Sequence, residues 1–547
     1  MSSTSKTLLG ACLFCLLGCG SGFDSGVSKS ADHVFINGGV YTVNPDEPWA
    51  QAVAVRDKHI LMVGDNSDVE KLIGSETVVT DLTGRMLLPG FGDSHLHLLY
   101  GGEIVSRCGL DWVEVPEEIK RILEQCAQNL PLENERWIHA TGWARSSFPE
   151  GIPPPEFLNE LFPSTPVVVE ASDGHSIWVN QVALDLAGIN GGTQNPENGS
   201  IERHPQTGSA TGLLHESAIR LVYDVMPMIS RKERLGFIRK ATTMATEFGI
   251  TSAIEPGLNI EQAKLFREFD EAGELNLRLL LALTPLGFKI ASFDEEIYAT
   301  VSKRSDIETH LIKTHSVKVF IDGVIENGTA PLLEPYLPES VVPLDTFYTQ
   351  KELQDYFISF DKAGLSIHVH AIGDQGIRQT LDAFAAMREA NGISDGRHIM
   401  THLQLVNETD LGRFEELGII ASFSTLWAYP ESYNLEIYPP LVGRQRVDRF
   451  YPVASIMDTG GIIVIGSDWS VDEMNPFLAI EVAIARQDPY SDQGSIFNER
   501  ERIDLESALK AYTINVAYAM GLEDELGSVE VGKLGDLIVL DRNLFDI

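Results

Sequence analysis

Alternating apolar and polar positions mark both ends of the chain. Residues 33–88 contain the runs HVFINGGVYTV, AVAVRDKHILMVG and ETVVTDLTGRMLLPG, which are separated by turn-forming residues. Such a pattern is typical of short antiparallel strands joined by hairpins. Residues 521–547 carry a similar stretch, LGSVEVGKLGDLIVLDR. We therefore expect the segments 33–88 and 521–547 to pair into one small β-sandwich outside the main domain.

Between these ends, short apolar strands alternate with helix-like stretches, which predicts an α/β fold. Eight strand candidates end near Pro89, Glu255, Thr284, Asp322, His370, His402, Ser424 and Asp468. Eight such units predict a (β/α)8 TIM-type barrel over residues 89–520. Because the chemistry of these barrels lies at the C-terminal ends of the strands, polar residues at those ends should converge.

The interval between the first two strand candidates is far longer than an ordinary loop. It contains the stretches RWIHATGWARSSF, TPVVVEASDGHSIWVNQVAL and GSATGLLHESAI. We expect residues 100–225 to form an inserted lid subdomain over the mouth of the barrel.

The composition is that of a globular protein, and the net charge of the chain argues against a nucleic-acid partner. The chain has 547 residues, of which 44% are hydrophobic and 22% charged, enough for a large barrel with accessory parts. Its 79 acidic and 41 basic residues give a net charge of −38. Because so acidic a surface repels phosphate backbones, we expect no nucleic-acid partner. A homo-oligomer is compatible with these features.

The N-terminus has the features of an export signal. Lys6 precedes an apolar stretch, and Leu16-Leu17-Gly18-Cys19 looks like a bacterial lipobox. Residues 1–18 are predicted to be a lipoprotein signal peptide, Cys19 the lipidation site, and 19–32 a flexible tether. The expected location is the bacterial cell envelope, where the lipid would hold the protein to a membrane on the periplasmic or extracellular face. The alternative is an ordinary signal peptide cut at another small residue.

Outside the leader and the lipidation site, the chain has two cysteines, Cys108 and Cys126. Export would permit a disulfide between them. Two unpaired buried thiols would fit the sequence equally well.

Two early strand candidates carry residues suited to binding metal. His95 and His97 are two positions apart in PGFGDSHLHL, so in an extended chain both imidazoles face one point. Lys318 stands inside the apolar strand of VKVFIDG, where an unpaired lysine is costly. It either forms an ion pair at the barrel rim or is carbamylated by carbon dioxide, giving a carboxylate that bridges two metal ions.

Three later strands add further candidate ligands. In SIHVHAIGD we favour His370 as a metal ligand and give His368 a supporting or packing role. In RHIMTHLQL we favour His402, because it lies nearer the C-terminal end of the strand than His398. Asp468 ends the apolar run IIVIGSDWSV, where it is either a helix cap or a catalytic aspartate.

Taken together, these motifs resemble the amidohydrolase superfamily, and specifically the amidohydrolase 3 group of YtcJ-like proteins and N-substituted formamide deformylases. The resemblance covers roughly residues 33–547 and is carried by PGFGDSHLHL, SDGHSIWVN, TGLLHESA, VKVFIDG, HAIGD, HLQ and GSDWSV. It implies one or two divalent metal ions, with zinc the expected element. The ligand set that it implies is His95, His97 and Asp468 for the more buried ion, His370 and His402 for the second, and carbamylated Lys318 as a bridge.

The resemblance also implies a reaction. A metal-activated water would cleave an amide-type C–N bond of a small molecule, with Asp468 as general acid and base. The predicted substrate-binding residues of the lid are Asp173, His175, Glu216, Trp143 and Trp178. Their structural alternatives are a turn, a packing histidine, a salt bridge and two core tryptophans. The competing functions are a lactonase or ester hydrolase on the same centre, and a surface lipoprotein that binds a ligand without turning it over.

Two motifs depart from the pattern of the group. Ile254-Glu255-Pro256 stands where a sequence such as VHD is expected, and Ser424-Thr425 where Gln-Pro is expected. Neither position is a predicted metal ligand. Both can reshape the pocket, so a formamide substrate does not follow from the resemblance.

Overall fold

The computed structural model describes most of the chain after the N-terminal segment. The described residues are 30–110, 113, 115–129, 137–144, 147–148, 153–172, 174–197, 199–227, 229–284, 302–338, 341, 344–491 and 494–547. The predicted signal peptide, the predicted lipidation site Cys19, most of the tether and Asp173 lie outside these residues.

An eight-stranded parallel sheet curls into a nearly closed barrel. Its strands are Phe91–Asp93, Ile250–Leu258, Arg278–Leu283, Ile312–Phe320, Ser366–Ala371, Ile399–His402, Ile420–Phe423 and Ile463–Ile465. Each strand pairs with the next one along the chain. The first and last strands meet where the Ser94 N–H donates to the Ile465 carbonyl at 3.1 Å. The α/β barrel predicted from the alternating pattern is confirmed.

The first barrel strand begins after Pro89, and the prediction that it ends there is wrong. Met86–Pro89 belongs to a different sheet, in which it pairs with Leu537–Leu540. Gly90 separates it from the barrel strand Phe91–Asp93. Because the apolar run MLLPGF is continuous, the hydrophobic pattern alone cannot show where the chain passes from one sheet to the next.

Local signals in the sequence explain where several barrel helices begin. Ser230, Asn259 and Thr349 each form a reciprocal capping box at the start of a helix, Arg231–Glu247, Ile260–Glu271 and Gln350–Lys362 respectively. The other described α-helices are Asn66–Val69, Leu98–Ser106, Pro116–Asn129, Pro155–Leu161, Gln181–Leu186, Arg220–Tyr223, Asp374–Asn391, Arg413–Leu417, Tyr438–Val442, Arg444–Val447, Val453–Asp458, Pro476–Ala485, Leu505–Ala511 and Ile514–Met520. Within the described residues, none of the helices is both long and apolar enough to cross a bilayer.

Apolar packing closes the N-terminal end of the barrel. Val516 and Met520 of helix Ile514–Met520 share a buried cluster with Ile399 and Ile420, the first residues of the sixth and seventh strands. This end of the barrel is therefore filled by hydrophobic side chains. The candidate functional residues are therefore expected at the opposite end, where the barrel strands end.

A six-stranded sheet is inserted between the first two barrel strands. Its strands are Cys108–Gly109, Ile138–Trp143, Val167–Ala171, Ser176–Val179, Gly199–Arg203 and Ala210–Glu216. A disulfide joins Cys108 to Cys126, whose Cα atoms are 6.0 Å apart. Of the two alternatives for these cysteines, the structure contains the bonded pair.

Two four-stranded sheets are formed by the N-terminal part of the described chain, and a C-terminal strand completes one of them. One contains His33–Ile36, Ala52–Arg56, His59–Gly64 and Val78–Asp81, and the other Gly39–Tyr41, Trp49–Ala50, Met86–Pro89 and Leu537–Leu540. Val53 of the first sheet and Val40 of the second share a buried cluster with Val529. Residues 529 and 537–540 thus pack with elements more than four hundred positions earlier in the chain.

Candidate metal centre

The segment that carries His95 and His97 is held on two sides by neighbouring strands. The His95 carbonyl accepts from the Asp468 N–H at 2.8 Å, and the His97 N–H donates to the Trp469 carbonyl at 3.0 Å. Between them, the Leu96 N–H donates to the carbonyl of Ile254 in the second strand at 3.0 Å. The backbone after the first strand is therefore fixed against the ends of the second and eighth strands.

Three imidazoles surround the carboxylate of Asp468. Its Oδ1 lies 3.4 Å from His95 Nε2 and 3.2 Å from His97 Nε2, and its Oδ2 lies 3.8 Å from His402 Nδ1. The donor atoms of His95, His402 and Asp468 all lie within 4.8 Å of one another, and the three residues are buried. With zinc–ligand bonds of about 2.0–2.1 Å, neighbouring donors of a tetrahedral site are roughly 3.3 Å apart. This donor set fits a divalent metal ion.

Burial keeps the imidazoles in the form that binds metal. It lowers the pKa of His95 and of His402 well below the ordinary value of 6.5, and neighbouring imidazoles and Lys318 lower both pKa values further. Burial and Lys318 also lower the pKa of His370 to about 3. Neutral imidazole is the ligand form, so these side chains need no deprotonation at neutral pH.

Two contacts hold the His95 ring in place. Its Nε2 lies 3.3 Å from Lys318 Nζ, and its Nδ1 lies 2.8 Å from His368 Nε2. Nε2 is also the nitrogen that lies 3.4 Å from Asp468 Oδ1. When Nε2 binds a metal ion, the ring proton is on Nδ1, which then donates to His368.

Lys318 lies inside the barrel beside the ligand set. It is 2% exposed, and its Nζ is 4.9 Å from the centre of the Phe320 ring. Burial lowers the pKa of Lys318 to about 7, and Asp468 acts in the opposite direction. A substantial fraction of the amine is therefore neutral near physiological pH.

His370 lies next to the cluster, with its Nε2 turned away from it. Its ring centre is 4.5 Å from that of His402, but its Nε2 lies 3.2 Å from the Gly323 carbonyl and 3.5 Å from Asp322 Oδ1. Asp322 is buried and also accepts from the N–H groups of Ile372 and Gly373. These bonds fix the turn that follows His370.

The backbone at two site residues adopts a conformation that L-residues rarely occupy. His402 has φ +78° and Asp468 has φ +53°, both in the left-handed region. Such positions cost roughly 1–3 kcal/mol and occur mainly where surrounding contacts enforce them, often at functional sites. At Asp468, the N–H bond to His95 is one such contact.

Two of the predicted lid residues form a pair close to the metal ligands. His175 Nδ1 lies 3.1 Å from Glu216 Oε1, and both side chains are half-buried. His175 is near enough to contribute to the lowered pKa of His370. Asp173 is outside the part of the chain that the structure describes.

The two tryptophans predicted to line the pocket lie elsewhere. Trp143 and Trp178 are 1% and 0% exposed, and their ring centres are 6.1 Å apart in the hydrophobic core of the inserted sheet. The prediction that they bind substrate is replaced by the core alternative. Both residues lie on strands of the inserted sheet, and their side chains belong to its buried cluster. The sequence motif does not show which face of the strand is buried.

Sequence reasoning missed several residues that support the site. The sequence marks Asp322 as a strand end, and Glu255 as a strand end and a departure from the group. It does not show that each is a buried carboxyl bonded to backbone N–H groups beside predicted ligands. Trp427 stacks on His402 at 5.4 Å between ring centres, with the planes 7° apart. An acidic residue at the end of an apolar run is the sequence signal for these two carboxyls. Nothing in the sequence points to Trp427.

His398 is outside the cluster. Its Nδ1 accepts from the Ile367 N–H at 3.1 Å and its Nε2 lies 3.4 Å from Asp361 Oδ1. It therefore ties the starts of the fifth and sixth strands to the preceding helix, Gln350–Lys362. Of the two histidines in this motif, His402 is the one near the carboxylate of Asp468.

The chain is similar to known proteins over most of its length. A model of the amidohydrolase family matches residues 78–547. The chain is 30% identical over 523 residues to the protein LONG AFTER FAR-RED 3 of Arabidopsis thaliana, covering 94% of this chain and 88% of that protein. It is 26% identical over 540 residues to N-substituted formamide deformylase of Arthrobacter pascens, covering 95% of each.

A similar fold is known from a solved structure. An uncharacterized metal-dependent hydrolase from Pyrococcus horikoshii OT3 aligns with a TM-score of 0.73 and 21% sequence identity, covering 93% of this chain and 97% of that chain. At this identity the likeness shows the fold alone.

Proposed function

Because the chain belongs to the amidohydrolase family of metal-dependent hydrolases, we propose that it cleaves an amide-type C–N bond of a small molecule, with Asp468 transferring the proton. The observation that carries this proposal is the position of the Asp468 carboxylate, within 3.2–3.8 Å of three imidazole nitrogens. The similarity to N-substituted formamide deformylase supports a C–N bond as the target.

One or two divalent ions, with zinc the expected element, would be held by the residues of this cluster. His95, His97 and Asp468 would hold one ion, and His370 and His402 a second, with carbamylated Lys318 between them. Because His370 Nε2 bonds to the Gly323 carbonyl, its Nδ1 is the nitrogen available to an ion. A bound ion would supply positive charge that activates a water and polarises a carbonyl group.

Lys318 has the properties that carbamylation requires. A neutral amine attacks carbon dioxide, a new N–C bond forms and one proton is released, leaving an anionic carbamate. Burial favours the neutral amine, since it lowers the pKa of Lys318 to about 7. The product would add a carboxylate to a site whose other donors are imidazoles and Asp468.

The residues around the metal centre have separate roles in proton transfer, in orienting the ligands and in orienting the substrate. Asp468 accepts a proton from the attacking water and returns it to the leaving nitrogen. His368, bonded to His95, keeps the imidazole in one tautomer. We propose that His175 and Glu216 orient the substrate, which is supported by their pairing and by the effect of His175 on the pKa of His370.

The test is the metal content and activity of the purified protein and of an Asp468→Asn variant. We expect one or two equivalents of divalent metal in the wild type, and hydrolysis of at least one compound in a set of formamides, amides, esters and lactones. The variant should lose activity by a factor on the order of 100 or more, because proton transfer contributes about 10²–10⁴-fold.

Asp410→Asn is the matched control, because Asp410 is also a buried aspartate but pairs with Arg378 and Arg413 away from the centre. It should keep both metal and activity. Hydrolysis of lactones or esters alone would replace the C–N assignment. No metal uptake by the wild type, even with zinc and bicarbonate, would favour the ligand-binding lipoprotein.

A further inference from the structure

Glu255 stands at one of the two places where the sequence departs from its group, and the mechanism leaves it unused. It lies in the second barrel strand and is 1% exposed. Its Oε2 accepts from the N–H of Leu98, and the N–H of Leu99 also bonds to the carboxyl. These two residues begin the helix Leu98–Ser106, which follows His97 directly.

The helix needs this acceptor because its own cap is missing. His97 occupies the N-cap position, but its side chain makes no capping hydrogen bond. The first N–H groups of a helix have no partner within the helix and are usually satisfied by the N-cap side chain. Here a carboxyl from another strand takes that role, which leaves the His97 imidazole free to face Asp468.

Close packing holds the helix from Gly101 onward, so the residues before it depend on Glu255. A side chain at Gly101 would come within 2.3 Å of the Trp469 ring, and one at Gly102 within 2.2 Å of the Phe237 carbonyl. Trp469 follows Asp468 and accepts from the His97 N–H. The helix is therefore wedged between the Asp468 segment and helix Arg231–Glu247.

We propose that Glu255 is a positioning residue for the metal centre: by capping helix Leu98–Ser106 from the second strand, it fixes His97 beside Asp468. His97 is the ligand that most needs this support, because its side chain is 23% exposed, whereas those of His95 and His402 are at most 4% exposed. Without the carboxyl, two buried N–H groups lose their acceptor and the start of the helix shifts. His97 then moves with it.

The proposal rests on the proposed metal site, and its test measures metal binding directly. Zn²⁺ affinity is determined by chelator competition, and Co²⁺ bound in place of zinc reports ligand geometry through its visible absorption. Glu255→Met removes both acceptor oxygens at nearly the same length. We expect it to weaken metal binding on the order of 10–100-fold, the range found when a group that orients a metal ligand is lost. The Co²⁺ spectrum should change as well.

Glu501→Met is the matched control. Glu501 is also buried and accepts from the N–H of Ser455 at 2.9 Å in the first turn of helix Val453–Asp458, but it does not contact a predicted ligand. A merely structural cap predicts equal stability losses and unchanged metal affinity in both variants. The proposal predicts weaker metal binding only when Glu255 is changed.

The outcomes separate the two proposals. Unchanged affinity and spectrum in Glu255→Met, or equal weakening in both variants, would overturn the positioning role while leaving the metal site intact. Absence of metal from the wild type would overturn the metal site and the positioning role together. If Glu255→Met does not fold, Glu255→Gln is compared with Glu501→Gln. It keeps one acceptor oxygen, and we expect a smaller loss of affinity, so an unchanged affinity would again overturn the role.

Discussion

Lys318 is the residue whose chemistry depends most on its surroundings. Among the described residues it has no carboxylate within 4.0 Å, and its Nζ contacts His95 and the Phe320 ring. An isolated buried ammonium is costly, and the depressed pKa reflects that cost. Carbamylation would replace the buried ammonium of Lys318 with a carboxylate that can bind metal.

We expect the metal content of the wild type to rise when bicarbonate accompanies zinc during reconstitution. Lys318→Met should hold less metal, show no response to bicarbonate and lose activity on the order of 10–100-fold or more. Elemental analysis and an activity assay measure these effects. Lys313→Met, a change at the start of the same strand, serves as control and should behave as the wild type. Equal metal content with and without bicarbonate, in wild type and Lys318→Met alike, would exclude the carbamate.

At the scale of elements, one buried carboxylate links the inserted sheet to the barrel. Glu170 lies 2.8 Å from His139 Nε2 and accepts from the hydroxyl groups of Tyr100 and Tyr223. Tyr100 belongs to helix Leu98–Ser106, while Glu170 and His139 are on strands of the inserted sheet. Glu170 therefore ties the sheet to the helix that follows the first two metal ligands.

We expect this link to stabilise the fold above the ordinary pKa of a glutamate and to weaken in acid. Burial raises the pKa of Glu170, but hydrogen bonds from His139 and the tyrosines outweigh it and lower the pKa below 4.5. A carboxyl with a lowered folded-state pKa contributes stability above its unfolded pKa. That stability is lost as the pH falls through the folded value.

Glu170→Gln should therefore be less stable than the wild type by about 1–3 kcal/mol at neutral pH, with the difference shrinking below about pH 4.5. Thermal unfolding monitored across this pH range measures the effect. Glu389→Gln, a change at an exposed position, should leave the pH profile unaltered. A constant difference between wild type and Glu170→Gln at all pH values would contradict the assignment.

At the scale of the whole molecule, the N-terminal segment bears on attachment to the cell envelope. We propose that Cys19 carries a lipid and that the residues after it tether the barrel to a membrane. The strongly acidic chain, with net charge −38, is suited to remain dispersed at such a surface.

The expected result is that the wild type, expressed in a bacterial host, partitions into the membrane fraction and the detergent phase. Cys19→Ala should appear in the aqueous phase, because removing the acylated sulfur removes the anchor. Cys15→Ala, within the predicted leader, is the control and should remain in the membrane fraction. Retention of Cys19→Ala in that fraction would contradict lipid anchoring at this residue.

The sequence by itself determined the barrel and most of its chemical residues. Eight apolar strands in alternation with helices allow few architectures other than a closed parallel barrel, and residues at the C-terminal ends of parallel strands share one rim. For that reason His95, His97, His402, Lys318 and Asp468 could be named before their distances were known. Capping boxes such as Ser230 with Glu233 likewise predict helix starts, because both partners are close in sequence.

Only the tertiary structure decided how distant groups meet. The pairing of Met86–Pro89 with Leu537–Leu540, the core position of Trp143, the orientation of His370 and the capping role of Glu255 each depend on partners far away in the chain. Hydrophobic periodicity records which face of an element is buried but not what covers it. Contacts between distant elements arise only when the whole chain packs, so no local pattern can specify them.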